Sequence, residues 1–189
     1  MNFVNPKSIP ANDLPLIVFY DNPSGIIESL ITIWTKGEWN HAMWLHRPGY
    51  FATQGNTYKE VPINKYMRKN GRLKFWEIIG LNIQQKGLIL TSIAQKLKKP
   101  WWRKMYDWLG ILGQLLKVEW FNNPALDYCS EDVVQHLRLL EASLSNENHL
   151  KTAFVRIPKH TNPSKLNEYF KEYPDCFRVY GWWDSDGER

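Results

Sequence analysis

Apolar and polar positions alternate with two different periods along this chain, and the changes of period mark its elements. Leu16-Ile17-Val18-Phe19-Tyr20 is a continuous apolar run closed by the turn cluster Asp21-Asn22-Pro23-Ser24-Gly25, which predicts a buried first strand. Ile26, Ile27, Leu30, Ile31 and Trp34 then fall at helical spacing, with Gly37 placed to end a helix. Trp39 to His46 and Tyr50 to Gln54 read as two strands joined by Arg47-Pro48-Gly49, a hairpin of ordinary loop length. Strand alternation puts His41, Met43 and Leu45 on one face.

Further along, Lys65 to Asn70 reads as a short helix and Leu73 to Ile79 as a strand. Ile83 to Leu97 reads as an amphipathic helix that Pro100 stops. Between Ser130 and Leu144, Val133, Val134, Leu137, Leu140 and Leu144 form one stripe. Glu131 and Asp132 occupy the first turn, where the helix dipole favours acids. Pro163 to Tyr173 predicts a last helix and Cys176 to Trp182 a last strand, followed by a polar tail. No repeat, low-complexity tract or linker interrupts residues 1–189, so a single domain is expected.

Composition changes this picture in three ways. Ten Trp, nine Tyr and eight Phe are more rings than a core of this size needs, so some are expected to line a groove. Two cysteines, Cys129 and Cys176, make no disulfide framework, and the first 30 residues lack the pattern of a signal peptide. A cytoplasmic location with free thiols is therefore expected, or delivery without a signal peptide, for example in a phage particle. No apolar stretch approaches the roughly 18 residues needed to span a bilayer. The net charge of +5 is unevenly placed, since Glu77 is the one acid between Lys65 and Lys104. The cations Lys96, Lys98, Lys99, Arg103 and Lys104, interleaved with Trp101 and Trp102, present either a solvated face or a contact for an anionic surface.

The candidate chemistry centres on Cys129, in Asp127-Tyr128-Cys129-Ser130-Glu131-Asp132, and on His41, in Trp39-Asn40-His41-Ala42. A thiol at a helix N-terminus is favoured as thiolate by unpaired backbone NH groups, and the same groups can hold an oxyanion. By residue type alone, Cys129 reads equally as a small buried hydrophobe, and His41 as an ordinary strand histidine. His136 lies seven residues along the same helix, about 10.5 Å away, while His46, His149 and His160 fall in turn or loop contexts. No Cys-x-x-Cys, His-Glu-x-x-His, EF-hand loop or Gly-rich phosphate loop is present, so no metal, nucleotide or other cofactor is implied.

Five segments in order resemble the circularly permuted NlpC/P60 branch of the papain-like superfamily. They are the strand Leu16 to Tyr20, a helix ending in Thr35-Lys36-Gly37, Trp39-Asn40-His41-Ala42, the strand Phe51-Ala52-Thr53-Gln54-Gly55, and Tyr128-Cys129-Ser130-Glu131-Asp132-Val133. The likeness is to the YiiX/YaeF-like amidases in particular, and more distantly to the lecithin:retinol acyltransferases. It covers about residues 14 to 144, and Tyr106-Asp107 falls where such proteins often have a Tyr-Asp pair.

The resemblance implies an α+β, papain-like fold with a central antiparallel sheet packed on the helix that begins at the cysteine. It implies Cys129 as nucleophile, His41 as general base and later acid, and a third polar residue on the strand after the histidine. Gln54 is the match for that third position, with Thr53 one residue out of phase. A glutamine can fix the imidazole tautomer without bringing negative charge. The implied activity is a cysteine hydrolase cleaving an amide in a peptide, such as a peptidoglycan stem peptide, through a thioacyl-enzyme. A lipid or acyl-ester hydrolase or acyltransferase on the same Cys-His pair is the second reading. A catalytically inactive binding or virion structural module is the third.

Overall fold

The computed structural model describes residues 2–22, 37–54, 57–100, 129–145, 148–158 and 161–185. Its six strands are β1 (Leu16–Asp21), β2 (His41–Arg47), β3 (Tyr50–Gln54), β4 (Tyr58–Pro62), β5 (Arg72–Ile78) and β6 (Phe177–Asp184). They form one antiparallel sheet in the order β4-β3-β2-β1-β5-β6. Four helices accompany it: α1 (Ile83–Lys98), α2 (Cys129–Ala142), α3 (His149–Arg156) and α4 (Pro163–Glu172). The architecture is α+β, and the sheet draws strands from both ends of the described chain.

Local sequence accounts for most of these elements. Asn82 and Gln85 cap α1 reciprocally, each side chain accepting from the other's backbone N–H at 2.9 Å. Asn162 caps α4 by accepting from Lys165 N at 2.8 Å, and Pro163 occupies the first turn. One expectation is revised and two elements are added. The segment expected as a helix over 65–70 instead follows a short 3-10 helix, Ile63–Lys65, and Asn70 takes a positive φ of 62°. Tyr58–Pro62 pairs with β3 as an edge strand, and His149–Arg156 forms a helix; neither is long enough to announce itself by periodicity. The helix expected over 26–34 and the aromatic, basic segment 101–110 lie outside the described residues.

The two faces of the sheet bury different partners. Ile17, Phe19, Ala42, Trp44, Ala52, Trp76 and Ile78 face the four helices, whose contributions include Ile89, Ile93, Val133, Leu137, Leu140, Phe154 and Phe170. Leu16, Val18, Tyr20, Met43, Leu45, Phe51, Leu73, Phe75 and Trp183 form a second core on the opposite face, closed by Ile9, Leu14, Ile63, Tyr66 and Met67. A central strand such as β1 is therefore apolar on both sides, which explains its unbroken run of apolar residues.

The β6 edge is covered by the N-terminal residues. Val4 N donates to Trp182 O at 2.8 Å and Trp182 N to Asn2 O at 2.9 Å, pairing that blunts an open edge. Gly181 makes this approach feasible, since a Cβ there would stand 2.4 Å from Val4 Cγ1. Among the described residues, no helix is long and apolar enough to cross a membrane.

Candidate functional site

His41 is the first residue of β2, and its register fixes its direction. Tyr20 pairs with His41 and with Leu73, which pairs with Trp183, so the imidazole projects with these residues onto the face away from the helices. Its Nε2 lies 2.5 Å from Thr53 Oγ1. Its ring stacks on Tyr66, with centroids 6.0 Å apart and planes within 10°. Tyr66 in turn meets Tyr20 and Phe51 edge-on. This enclosure removes water from the ring and lowers the His41 pKa from 6.5 to about 4, because burial disfavours the charged imidazolium.

The polar residue that meets His41 is Thr53, and Gln54 lies on the other side of β3. Leu45 pairs with Phe51 and Trp44 with Ala52. Phe51 and Thr53 therefore share the His41 face, and Ala52 and Gln54 share the helix face. The strand register therefore puts Thr53, expected one residue out of phase, on the His41 face. With the proton on Nε2 the Thr53 hydroxyl oxygen accepts, and Nδ1 is the nitrogen with a lone pair. Tyr66 had no sequence signal, since the segment that carries it is neither strand nor regular helix.

Cys129 is the first residue of α2 and is 5% exposed. It lies one turn before Val133 on the stripe that faces the core. Contacts of α2 and of the neighbouring α4 orient α2 along β2. Ser130 Oγ donates to Thr161 O. Ser164, just inside α4, accepts from Trp39 N at 2.7 Å and donates to Trp39 O at 3.0 Å. Seven residues on from Cys129, the His136 ring meets Trp44 edge-on at 5.8 Å. The helix and the strand therefore start at the same end of the sheet, which brings Cys129 and His41 to that end from opposite faces.

Next to Cys129 on the helix face is a buried polar group. Lys96, expected on a basic surface, is 8% exposed and donates to Asp132 Oδ1 at 2.8 Å, with Asp132 1% exposed. Lys96 Nζ also stands 4.8 Å from the centre of the Tyr58 ring, and Tyr58 pairs with Gln54. Gln54 thus belongs to the surroundings of the first turn of α2. This burial removes Lys96 from the set of surface cations; Lys98 and Lys99 are exposed, and Arg103 and Lys104 lie outside the described residues. His136 is buried, with Nδ1 2.7 Å from Asp132 O, and His46 Nε2 lies 3.0 Å from Glu60 Oε2. His149 opens α3, and His160 lies outside the described residues, as do Tyr106, Asp107 and Tyr128.

Cys176, the second thiol, contrasts with Cys129. Burial and the nearby Asp175 carboxylate push its pKa up, and its Sγ faces His149 O at 3.9 Å. Both effects keep it a protonated packing residue. Among the described residues, no group of three or more His, Cys, Asp or Glu side chains is placed to hold a metal ion. No family model, curated protein or solved structure matches the chain.

Proposed function

We propose that this protein is a papain-like cysteine hydrolase that cleaves an amide bond in a peptide, with Cys129 as nucleophile, His41 as base and Thr53 as the residue that orients the imidazole. The observation that carries the reading is the His41–Thr53 contact at the end of the sheet where α2 begins. It is a polar pairing on a solvent-poor histidine, and it leaves Nδ1 to exchange a proton. Catalytic contacts of this kind often tighten only when substrate binds.

In the proposed reaction Cys129 Sγ loses its proton to His41 Nδ1 and attacks the amide carbon. Backbone N–H groups in the first turn of α2 receive the oxyanion. The C–N bond breaks as His41 returns the proton to the leaving amine, giving a thioacyl-enzyme and a free amine. Water, deprotonated by His41, then releases the acid. The ring is neutral at pH 7, so a lone pair is available to accept the proton, while burial makes it a weaker base than an ordinary imidazole. A peptidoglycan stem peptide is the proposed substrate, with an acyl ester as the second class. The family assignment belongs to the same proposal.

A second reading, a binding module without turnover, is favoured by one observation: the imidazole and the helix that carries the thiol lie on opposite faces of the sheet. Iodoacetamide labelling of Cys129 at pH 7 separates the two. The hydrolase reading expects a rate at least about tenfold above free cysteine that collapses in His41→Ala, in line with the contribution of a positioned base. A rate equal to that of free cysteine and indifferent to His41→Ala would leave the binding module. Assay on muropeptides against acyl lipids identifies the bond class.

A further inference from the structure

Lys74 sits in a row with Ala42, Phe19 and Trp182, one position along the strands from the His41 row and on the opposite, helix-bearing face. It is 4% exposed and makes no ion pair or hydrogen bond among the described residues. Its Nζ stands 4.5 Å from the centre of the Trp76 ring and 4.7 Å from that of Trp182. Trp182 also packs on Trp39 at 5.7 Å, and the Trp39 indole Nε1 is buried with no hydrogen-bond partner among the described residues. Trp39 is held in place through both of its backbone groups by Ser164.

Glu38 and Glu168 lie near enough to favour the Lys74 ammonium, but each is engaged by another cation, Glu38 by Arg72 at 3.5 Å and Glu168 by Lys171 at 2.7 Å. Lys171 of α4 faces Lys74 and repels it, but Lys171 is already bonded to Glu168 at 2.7 Å. Arg72 lies over Trp39 at 5.5 Å, but its guanidinium is engaged by Asp21 at 2.7 Å and Glu38 at 3.5 Å. Burial, then Lys171, lowers the Lys74 pKa to about 8, so the amine is still mostly charged at pH 7. A buried ammonium whose direct contacts are ring faces is costly to hold. Among the described residues, neither donor has a hydrogen-bonded acceptor.

We propose that Lys74 and the Trp39 indole N–H, walled by Trp76 and Trp182, form a subsite for the carboxylate of a peptide. A carboxylate supplies acceptors for both donors and cancels one buried charge, while the indole rings cover the flat groups next to it. The subsite shares a sheet face and a sheet end with the start of α2. A peptide anchored here by its carboxylate therefore presents an upstream amide towards Cys129. The identity of the ligand as a peptide rests on the proposed hydrolase reading; the need for an anion does not.

The test measures binding without turnover, in the full chain carrying Cys129→Ala. Tryptophan fluorescence is titrated with N-acetyl-glycyl-glycine and with its C-terminal amide. The expected result is an acid that binds at least tenfold more tightly than the amide, and a preference below twofold in both Lys74→Met and Lys74→Gln. The thermal midpoint of Lys74→Met is expected to equal or exceed that of its parent, because a buried ammonium without a hydrogen-bonded acceptor has been removed. Equal binding of acid and amide by the parent would overturn the subsite, as would an acid preference that survives either substitution. Because the thiol is absent, failure here leaves the labelling test of Cys129 standing, and failure there leaves this result standing.

Discussion

Thr53 and His41 meet across two neighbouring strands, with Oγ1 2.5 Å from Nε2, and the contact exists because residues 41, 43, 45, 51 and 53 share one face of the β2-β3 hairpin. The pairing defines the imidazole orientation on which the proposed chemistry depends.

Thr53→Val removes the hydroxyl and keeps the shape. It is expected to slow labelling of Cys129 by about 10- to 100-fold, within the range of a mispositioned base. The stability change should be about 1 kcal/mol, the net value of one hydrogen bond. Thr53→Ser should restore most of the rate. Labelling kinetics with mass-spectrometric site assignment provide the check, and an unchanged rate in Thr53→Val would remove Thr53 from the site.

The buried imidazole predicts a pH dependence with a definite sign. The folded pKa of about 4 lies below the unfolded value of 6.5, so the unfolded chain binds the extra proton first. The contribution of His41 is fully present above pH 6.5 and is lost as pH falls towards 4; its size is on the order of 2–3 kcal/mol. Urea midpoints at pH 7 and pH 5 should therefore differ more in wild type than in His41→Gln. Tyr66→Ala, which opens the ring to water, should move the His41 titration seen by NMR back towards 6.5.

Lys96 and Asp132 form a buried pair beside the first turn of α2. Lys96→Met leaves the carboxylate buried without its cation, at an expected cost of about 3–5 kcal/mol. Lys96→Met with Asp132→Leu should recover most of that loss. Chemical denaturation of the single and double variants gives the comparison, and additive losses would show that the two residues act independently.

Ser164 ties α4 to the segment just before His41 through both backbone groups of Trp39. Ser164→Ala strands a buried N–H and should cost about 1–3 kcal/mol. Amide exchange at Trp39 should rise with it; exchange as slow as in wild type would show that the strand start is held by other contacts.

Cys176→Ser is expected to leave iodoacetamide labelling at pH 7 unchanged, because burial and Asp175 keep that thiol protonated. Peptide mapping checks it, and loss of the fast phase in this variant would transfer the reactive thiol from Cys129 to Cys176.

The sequence by itself determined the long periodic elements. The apolar run of β1 and the stripes of α1 and α2 are local patterns, set by how many neighbouring positions must leave water together. It also placed Cys129 at a helix start and His41 within a strand, since both follow from where those patterns run. Short elements were not legible: β4, α3 and the turn carrying Tyr66 depend on partners far along the chain.

Tertiary structure alone decided which side of the sheet each side chain takes. Register decides that His41 meets Thr53 while Gln54 faces the helices, because a one-residue step in a strand reverses the side. Packing decides that Lys96 is an internal partner of Asp132 and that Lys74 is buried between two tryptophans. In the sequence both are members of one basic stretch, since charge is written locally but desolvation is set by whatever else packs there.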